Sequence, residues 1–149
     1  MNAFVCAGAG FLLAVLWFDL MFDVQVLRTS ADVLPEQALS SIAGYYRRVT
    51  TDARPMNRLV AAAMVATIGL LIAEIAARDY AAWVGWGSLA LTLAAVGLAA
   101  LHTVPSAVRL GGRTDSPARQ SELARSICRD HLLCIAAVAG VLAVQLAAT

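Results

Sequence analysis

Apolar residues in this chain are gathered into four blocks of about twenty residues, separated by stretches rich in polar and charged positions. The blocks cover residues about 3–27, 55–77, 83–101 and 127–148. A helix needs about 20 apolar residues to cross a bilayer, and a single span in lipid must be helical because it has to satisfy its own backbone hydrogen bonds. The pattern therefore predicts an all-α integral membrane four-helix bundle, with residues 1–149 forming a single membrane domain.

The two long connections, residues about 28–54 and 104–126, carry helix signals of their own. In the first, Pro35 is typical of a helix start, and four apolar residues follow at helical spacing: Leu39, Ile42, Ala43 and Tyr46. This spacing predicts a short amphipathic helix lying along the membrane over residues about 35–48. In the second, Ser116 is a suitable cap for a helix that Pro117 begins, and that helix would continue into the fourth span.

The composition argues against an ordinary soluble domain and sets an orientation. Hydrophobic residues make up 60% of the chain and charged residues 14%, against roughly a quarter charged in soluble domains. All eleven basic residues are arginine, and ten of them flank the two long connections, whereas Arg78 lies between spans two and three. By the positive-inside rule both connections are cytoplasmic. We therefore predict an N-out/C-out topology, with both termini outside the cytoplasm, and a multi-pass location in the cell inner (plasma) membrane.

Ionisable residues inside the apolar blocks gather toward the cytoplasmic ends of the spans. Asp19 and Asp23 lie one turn apart, on one face of span one. The other three spans contribute further polar residues near the same level: Asn57, Arg58, His102, Arg109, Asp130 and His131. Because a charged group in the hydrocarbon layer costs about 2.5–3.5 kcal/mol on insertion scales, such residues are normally paired and face inward.

Besides the possibility that the carboxylates lie at the membrane interface and merely reach water, two interpretations of this polar layer stay open. In the first, the two carboxylates pair with arginines and hold the register of the bundle, the available partners being Arg58, Arg109, Arg125 and Arg129. In the second, the layer lines a pocket that binds or transforms a small molecule. The candidate catalytic residues are then Asp19, Asp23, His102 and His131, and the candidate ligand-binding residues are Asn57, Arg58, Arg109 and Asp130.

The same residue types would suit two kinds of cofactor, and the sequence leaves the cofactor undetermined. Carboxylates and imidazoles are common ligands of Zn²⁺ and Fe²⁺, which makes candidate metal ligands of Asp19, Asp23, His102 and His131. Cys128 and Cys134 flank His131, but residues six apart on a helix diverge by about 120°, so one helix cannot close a site. A haem held by His102 and His131 is the second alternative, because the two histidines lie at similar depth on antiparallel spans.

Several short motifs resemble the anthrone-oxygenase-like group of small four-helix membrane proteins. They are Gly8-Ala9-Gly10-Phe11 in helix one, Pro55-Met56-Asn57 at the start of helix two, His102-Thr103-Val104-Pro105 at the end of helix three, and the segment from Arg125 to His131 at the start of helix four. The tryptophan-rich entry to helix four is missing, and Asp19 and Asp23 lie outside the pattern. The resemblance implies the four-helix membrane fold and, for some members, oxygenation of polyketide anthrones.

The function predicted first is a polytopic membrane protein with a small-molecule pocket at the cytoplasmic end of the bundle. The alternative is a non-catalytic accessory subunit that packs against a larger membrane complex, favoured by the small size and by small-residue pairs such as Ala136–Gly140 and Ala139–Ala143. A transporter would need several copies to enclose a path. The expected partners are the lipid bilayer and a larger complex or a homo-oligomer. Nucleic acid is not expected as a partner, because the basic residues flank the membrane spans and the positive-inside rule explains their positions. Whether the chain is an enzyme stays open.

Overall fold

The computed structural model describes residues 2–78 and 80–148, without the side chain of Arg54. The described residues are 89% helical, with no strand among them. Over these residues it forms six α-helices: α1 (Asn2–Asp23), α2 (Glu36–Arg47), α3 (Arg54–Ala77), α4 (Ala82–Leu98), α5 (Val104–Gly112) and α6 (Pro117–Ala147). A 3-10 turn, Val24–Arg28, extends α1, and π-helical turns follow α2 (Arg48–Asp52) and join α4 to α5 (Ala99–Thr103).

Four helical segments are long and apolar enough to cross a membrane: Asn2–Arg28, Pro55–Ala77, Ala82–Gly112 and Pro117–Ala147. The prediction of an all-α four-helix membrane bundle is confirmed. Contacts run α1 to α6, α6 to α4, α4 to α3 and α3 to α1, around a core that includes Val5, Leu71 and Val138. The Asn2 amide donates to the carbonyl oxygen of Gln145 at 2.8 Å, so both chain ends lie at one end of the bundle, here called the terminal end. The opposite end, with α2 and α5, is called the arginine-rich end.

The third and fourth spans are longer than predicted. The helix that was expected to end near Leu101 continues through the π-turn into α5, so residues 104–112 are helical rather than a loop. Pro105 is accommodated there because the hydrogen-bond register shifts just before it, with the Val104 amide donating to the Ala99 carbonyl. Each of these two segments contains 31 residues. At 1.5 Å per residue that is about 46 Å, well beyond a hydrocarbon core of about 30 Å.

A second apolar core fills the arginine-rich end. The predicted amphipathic helix forms as α2, and its four apolar residues are all buried: Leu39, Ile42, Ala43 and Tyr46. They pack against α5 and the first half of α6, around Leu110 and Ile127. The apolar face expected to lie along the membrane is therefore covered by protein. Ser116 caps α6 as predicted, accepting from the Arg119 amide at 3.4 Å.

Small residues bring α3 close to two neighbouring helices. A Cβ placed on Gly8 would collide with Thr67, and one placed on Gly85 would lie 2.6 Å from the Ile75 side chain. The small-residue pairs predicted from the sequence, Ala136–Gly140 and Ala139–Ala143, lie mostly outside these contacts. Their three alanines form an exposed stripe along α6. That stripe is free to meet another helix in the bilayer.

Candidate functional site

Three predicted site residues meet at the arginine-rich end, where α1 packs against α6. Asp23 is fully buried, and its Oδ2 lies 2.6 Å from Nδ1 of His131. Asp19, one turn earlier, places its Oδ2 3.8 Å from Nε2 of the same imidazole. The imidazole therefore stands between two carboxylates of one helix face.

Two tyrosines of α2 complete this cluster. The Tyr45 hydroxyl donates to Asp19 at 2.6 Å, and the Tyr46 hydroxyl donates to Asp23 at 2.5 Å. The Tyr45 ring also stacks on Phe22, with ring centroids 4.0 Å apart. Burial and the neighbouring carboxylates raise the pKa of both phenols above its ordinary value, so both remain protonated donors near neutral pH. We call Asp19, Asp23, Tyr45, Tyr46 and His131 the carboxylate–histidine cluster.

The hydrogen-bond partners of the two carboxylates are tyrosine and histidine, not the arginines of the first interpretation. Arg109 instead makes a two-pronged contact with Asp115, at 2.7 and 2.8 Å, and the Arg109 guanidinium holds the pKa of the Asp115 carboxyl below its usual range. Arg58 is exposed, and the Asn57 amide donates to the Thr50 carbonyl at 3.2 Å. Arginine's long side chain lets its charge stay at the polar surface, which explains this arrangement.

The other two predicted residues form a separate pair. Nδ1 of His102 lies 2.5 Å from Oδ2 of Asp130, and the Thr103 hydroxyl donates to the same oxygen at 3.1 Å. Asp130 is buried, whereas the His102 side chain is 49% exposed. The structure thus divides the predicted polar layer between two faces of α6, because Asp130 and His131 are neighbours about 100° apart around the helix.

A cavity of about 330 Å³ adjoins the carboxylate–histidine cluster. It lies between α1, α2, α3 and α5, and both Asp19 and His131 line it. Most of the remaining wall is apolar or aromatic, with Phe18, Met56 and Val104 exposed at the surface. A second cavity of about 120 Å³ shares Asp19 and His131 and continues toward the middle of the bundle. A polar group entering here would meet a carboxylate inside an otherwise apolar enclosure.

The described residues give no support to the predicted metal site. They contain no group of three or more His, Cys, Asp or Glu side chains arranged to hold a metal ion. Cys128 and Cys134 are buried thiols, and the Cys134 thiol contacts the Ala95 carbonyl at 3.6 Å. Each histidine uses Nδ1 for a carboxylate, and Nε2 of His131 also lies 3.8 Å from the Asp19 carboxylate.

The chemistry available to the cluster follows from its charges. His131 can carry one positive charge against two carboxylates, so with both acids ionised the cluster keeps an excess of negative charge. The imidazole can hold a proton between Asp19 and Asp23. Tyr45 and Tyr46 supply neutral hydrogen bonds and no compensating charge. The geometry therefore suits a cationic or hydrogen-bond-donating guest at Asp19, the carboxylate that lines the cavity.

Sequence reasoning missed a second buried polar network, at the terminal end. Gln145 donates to Oε1 of Glu74 at 3.1 Å and to the Ser88 hydroxyl at 3.2 Å. The Asn2 amide donates to the side-chain oxygen of Gln145 at 2.9 Å. All four residues lie within apolar spans, and an ionisable residue such as Glu74 in a span is itself a signal of a structural or functional role.

A comparison with known protein families gives a match over the whole chain. A model of the family described as "ER membrane protein SH3" (SHR3_chaperone) matches residues 1–149. No curated protein and no solved structure matches the chain. The description places this family in the membrane of the endoplasmic reticulum, so the predicted plasma-membrane location is wrong. Hydropathy and arginine bias act alike in both membranes and do not tell them apart. The resemblance to the anthrone-oxygenase-like group is not tested by this match and stays a prediction.

Proposed function

Because the chain belongs to the ER membrane protein SH3 family, we propose that it is a non-catalytic, chaperone-like accessory protein that packs against transmembrane helices of a client protein in the endoplasmic reticulum. The four membrane spans and the small extramembrane part agree with such a role. In this membrane the positive-inside rule places the arginine-rich end in the cytosol and both termini in the lumen.

The observation that carries this proposal is the cavity beside the carboxylate–histidine cluster. A client helix that has not yet assembled exposes its polar side chains to lipid, at a cost of several kcal/mol for a charged one. Phe18 and Met56 present an apolar rim to such a helix, while Asp19 and His131 lie inside the cavity. A polar side chain of the client can thus find a partner while its backbone stays in the bilayer.

The exposed stripe on α6 supports lateral packing independently. Ala136, Ala139 and Ala143 recur at helical spacing on the face turned away from the bundle, with Leu132 and Leu133 beside them. Small residues at this spacing let a second helix approach closely, and van der Waals packing drives association in lipid, where helix contact gains little from the hydrophobic effect. A client helix could therefore pack against this stripe.

The proposal is tested with two designed membrane segments of about twenty leucines and alanines, one of which carries a single arginine in its cytosolic third. Each is co-expressed with the tagged protein and recovered in a mild detergent. We expect several-fold higher recovery of the arginine segment, and Asp19→Asn should reduce it to that of the plain segment. Asp32→Asn removes the same charge at an exposed position and should change nothing. Equal recovery of the two segments by the unaltered protein would refute the proposal.

A small cationic molecule is the second candidate occupant of the cavity. Aromatic rings of Phe18, Phe22 and Tyr45 stand near Asp19 in the cavity wall, and ring faces attract cations. This candidate predicts a compound that remains with the purified protein in a one-to-one ratio and is lost in Asp19→Asn, as mass spectrometry would show. If a small cation occupies the cavity, the two designed segments should be recovered with the protein in equal amounts.

A further inference from the structure

The terminal end contains a larger cavity, of about 650 Å³, that the proposed function does not use. It lies between the end of α3 and the start of α4, and its lining includes Glu74, Arg78, Tyr80 and Trp86. Glu74 is 2% exposed, whereas Arg78 and Trp86 are exposed at the surface. A buried acid thus lines a cavity whose outer part carries a cation and aromatic rings.

One oxygen of Glu74 has no partner. Oε1 accepts from Gln145, but Oε2 is buried without any hydrogen bond. The nearby amides cannot supply one, because Gln145 already donates to Glu74 and Ser88, and Asn2 already donates twice to Gln145. An unpaired buried acceptor costs about 1–3 kcal/mol, and more when charged. Because Glu74 lines the cavity, an N–H donor that enters it would remove that cost once a change of the Glu74 rotamer turns Oε2 toward the donor.

We propose that this cavity binds the headgroup of a phospholipid that carries a primary amine, with the ammonium at Glu74 and the phosphate at Arg78. A basic side chain of another protein would donate to Glu74 but would make no favourable contact with the Arg78 guanidinium. A headgroup that carries both an ammonium and a phosphate can bind both residues. Guanidinium groups bind phosphate through paired hydrogen bonds. The volume lies within the usual range for small-molecule pockets, about 300–1,000 Å³.

The position of the cavity favours a lipid over a soluble molecule. Trp86 is 60% exposed and Trp83 is 66% exposed, one turn of α4 apart, as in the aromatic belts found at bilayer surfaces. Ala76 and Ala82 give the cavity an apolar side next to exposed helix surface, where acyl chains can continue into the bilayer. The same end of the bundle holds both termini, so the lipid would come from the lumenal leaflet.

The test measures lipid binding to the purified protein by native mass spectrometry. Equal amounts of phosphatidylethanolamine and phosphatidylcholine with identical acyl chains are added, and then the mono- and dimethylated intermediates. A trimethylated nitrogen has no N–H to donate, so we expect at least about tenfold preference for the primary amine, declining with each methyl group. Equal binding of the two lipids would overturn the proposal.

Variants separate the two contacts. Glu74→Gln should abolish the preference, whereas Glu122→Gln, the same change at an exposed position, should retain it. Arg78→Asn should weaken both lipids equally and leave the preference intact; asparagine suits the left-handed backbone there, where φ is 55°. If Glu74→Gln does not fold, the methylation series on the unaltered protein still decides. Displacement of the lipid by soluble phosphoethanolamine, with no phospholipid selectivity, would assign the cavity to a soluble amine and refute the lipid proposal.

Discussion

Replacing Tyr46 by phenylalanine tests whether the tyrosine–carboxylate contacts hold the arginine-rich end together. The change keeps the buried ring and removes the hydroxyl that donates to Asp23 at 2.5 Å. Asp23 is fully buried and its other oxygen is already used by His131, so among the described residues Tyr46 is the side chain that donates to the remaining oxygen. Hydrogen bonds to charged groups contribute about 1.5–3 kcal/mol, and we expect Tyr46→Phe to lower the free energy of unfolding by about 2–3 kcal/mol.

Tyr45→Phe is the matched control for this prediction. It removes the equivalent hydroxyl from Asp19, whose side chain is 16% exposed and lines the cavity. Water can replace the lost donor there, so the expected loss is below about 1 kcal/mol. Unfolding in mixed detergent micelles, followed by tryptophan fluorescence, gives both values. In a double-mutant cycle, Tyr46→Phe and Asp23→Asn should couple by about 1 kcal/mol or more. Equal losses for the two tyrosine variants, or additivity in the cycle, would refute the reasoning.

Three further predictions concern helix packing, pH and topology. Gly111→Ala should weaken the α2–α5 contact by about 1–3 kcal/mol, because its Cβ would lie 2.8 Å from the Arg47 backbone nitrogen, whereas Gly112→Ala points into open space and should not destabilise. The raised pKa of Tyr46 gives stability that is complete below the ordinary value of 10.0 and declines above it; alkaline unfolding curves of Tyr46→Phe should show a smaller decline, the remainder coming from Tyr45. A glycosylation acceptor fused after residue 149 should be modified in the endoplasmic reticulum, whereas one inserted at 113–116 should remain unmodified.

The membrane spans and α2 were predictable because their signals are local. The length of each apolar block predicts a membrane span. The spacing of Leu39, Ile42 and Tyr46 predicts one face of a helix, whatever that face packs against. The continuation of span three past Pro105 was not predictable in this way. It depends on the π-helical turn before Pro105, which shifts the hydrogen-bond register, and on the packing of α5 against α2. Contacts between distant parts of the chain cannot be read from a local pattern.

The candidate site also contains residues that the sequence predicts and partners that it does not. Asp19, Asp23 and His131 were identifiable because ionisable residues in apolar spans are rare and normally face inward. Their partners were not, since arginine is the usual partner of a carboxylate in a membrane span. Tyr45 and Tyr46 reach the cluster because α2 folds over the end of α1. A tyrosine on the apolar face of an amphipathic helix is itself a hint, because a buried hydroxyl needs an acceptor.

The two ends of the molecule follow one electrostatic rule. The arginine ion pairs of the described residues join surface groups, as Arg47 does with Asp52 and Arg113 with Glu36. Asp19 and Glu74 are instead held by tyrosine, histidine or amide groups, which contact a carboxylate while compensating its charge in part or not at all. Arginines near the membrane surface can orient the chain, while acids inside the bundle keep a capacity for an outside cation. A basic side chain at one end and a lipid amine at the other would each meet that capacity, which is why both proposals call for ligands of the same charge.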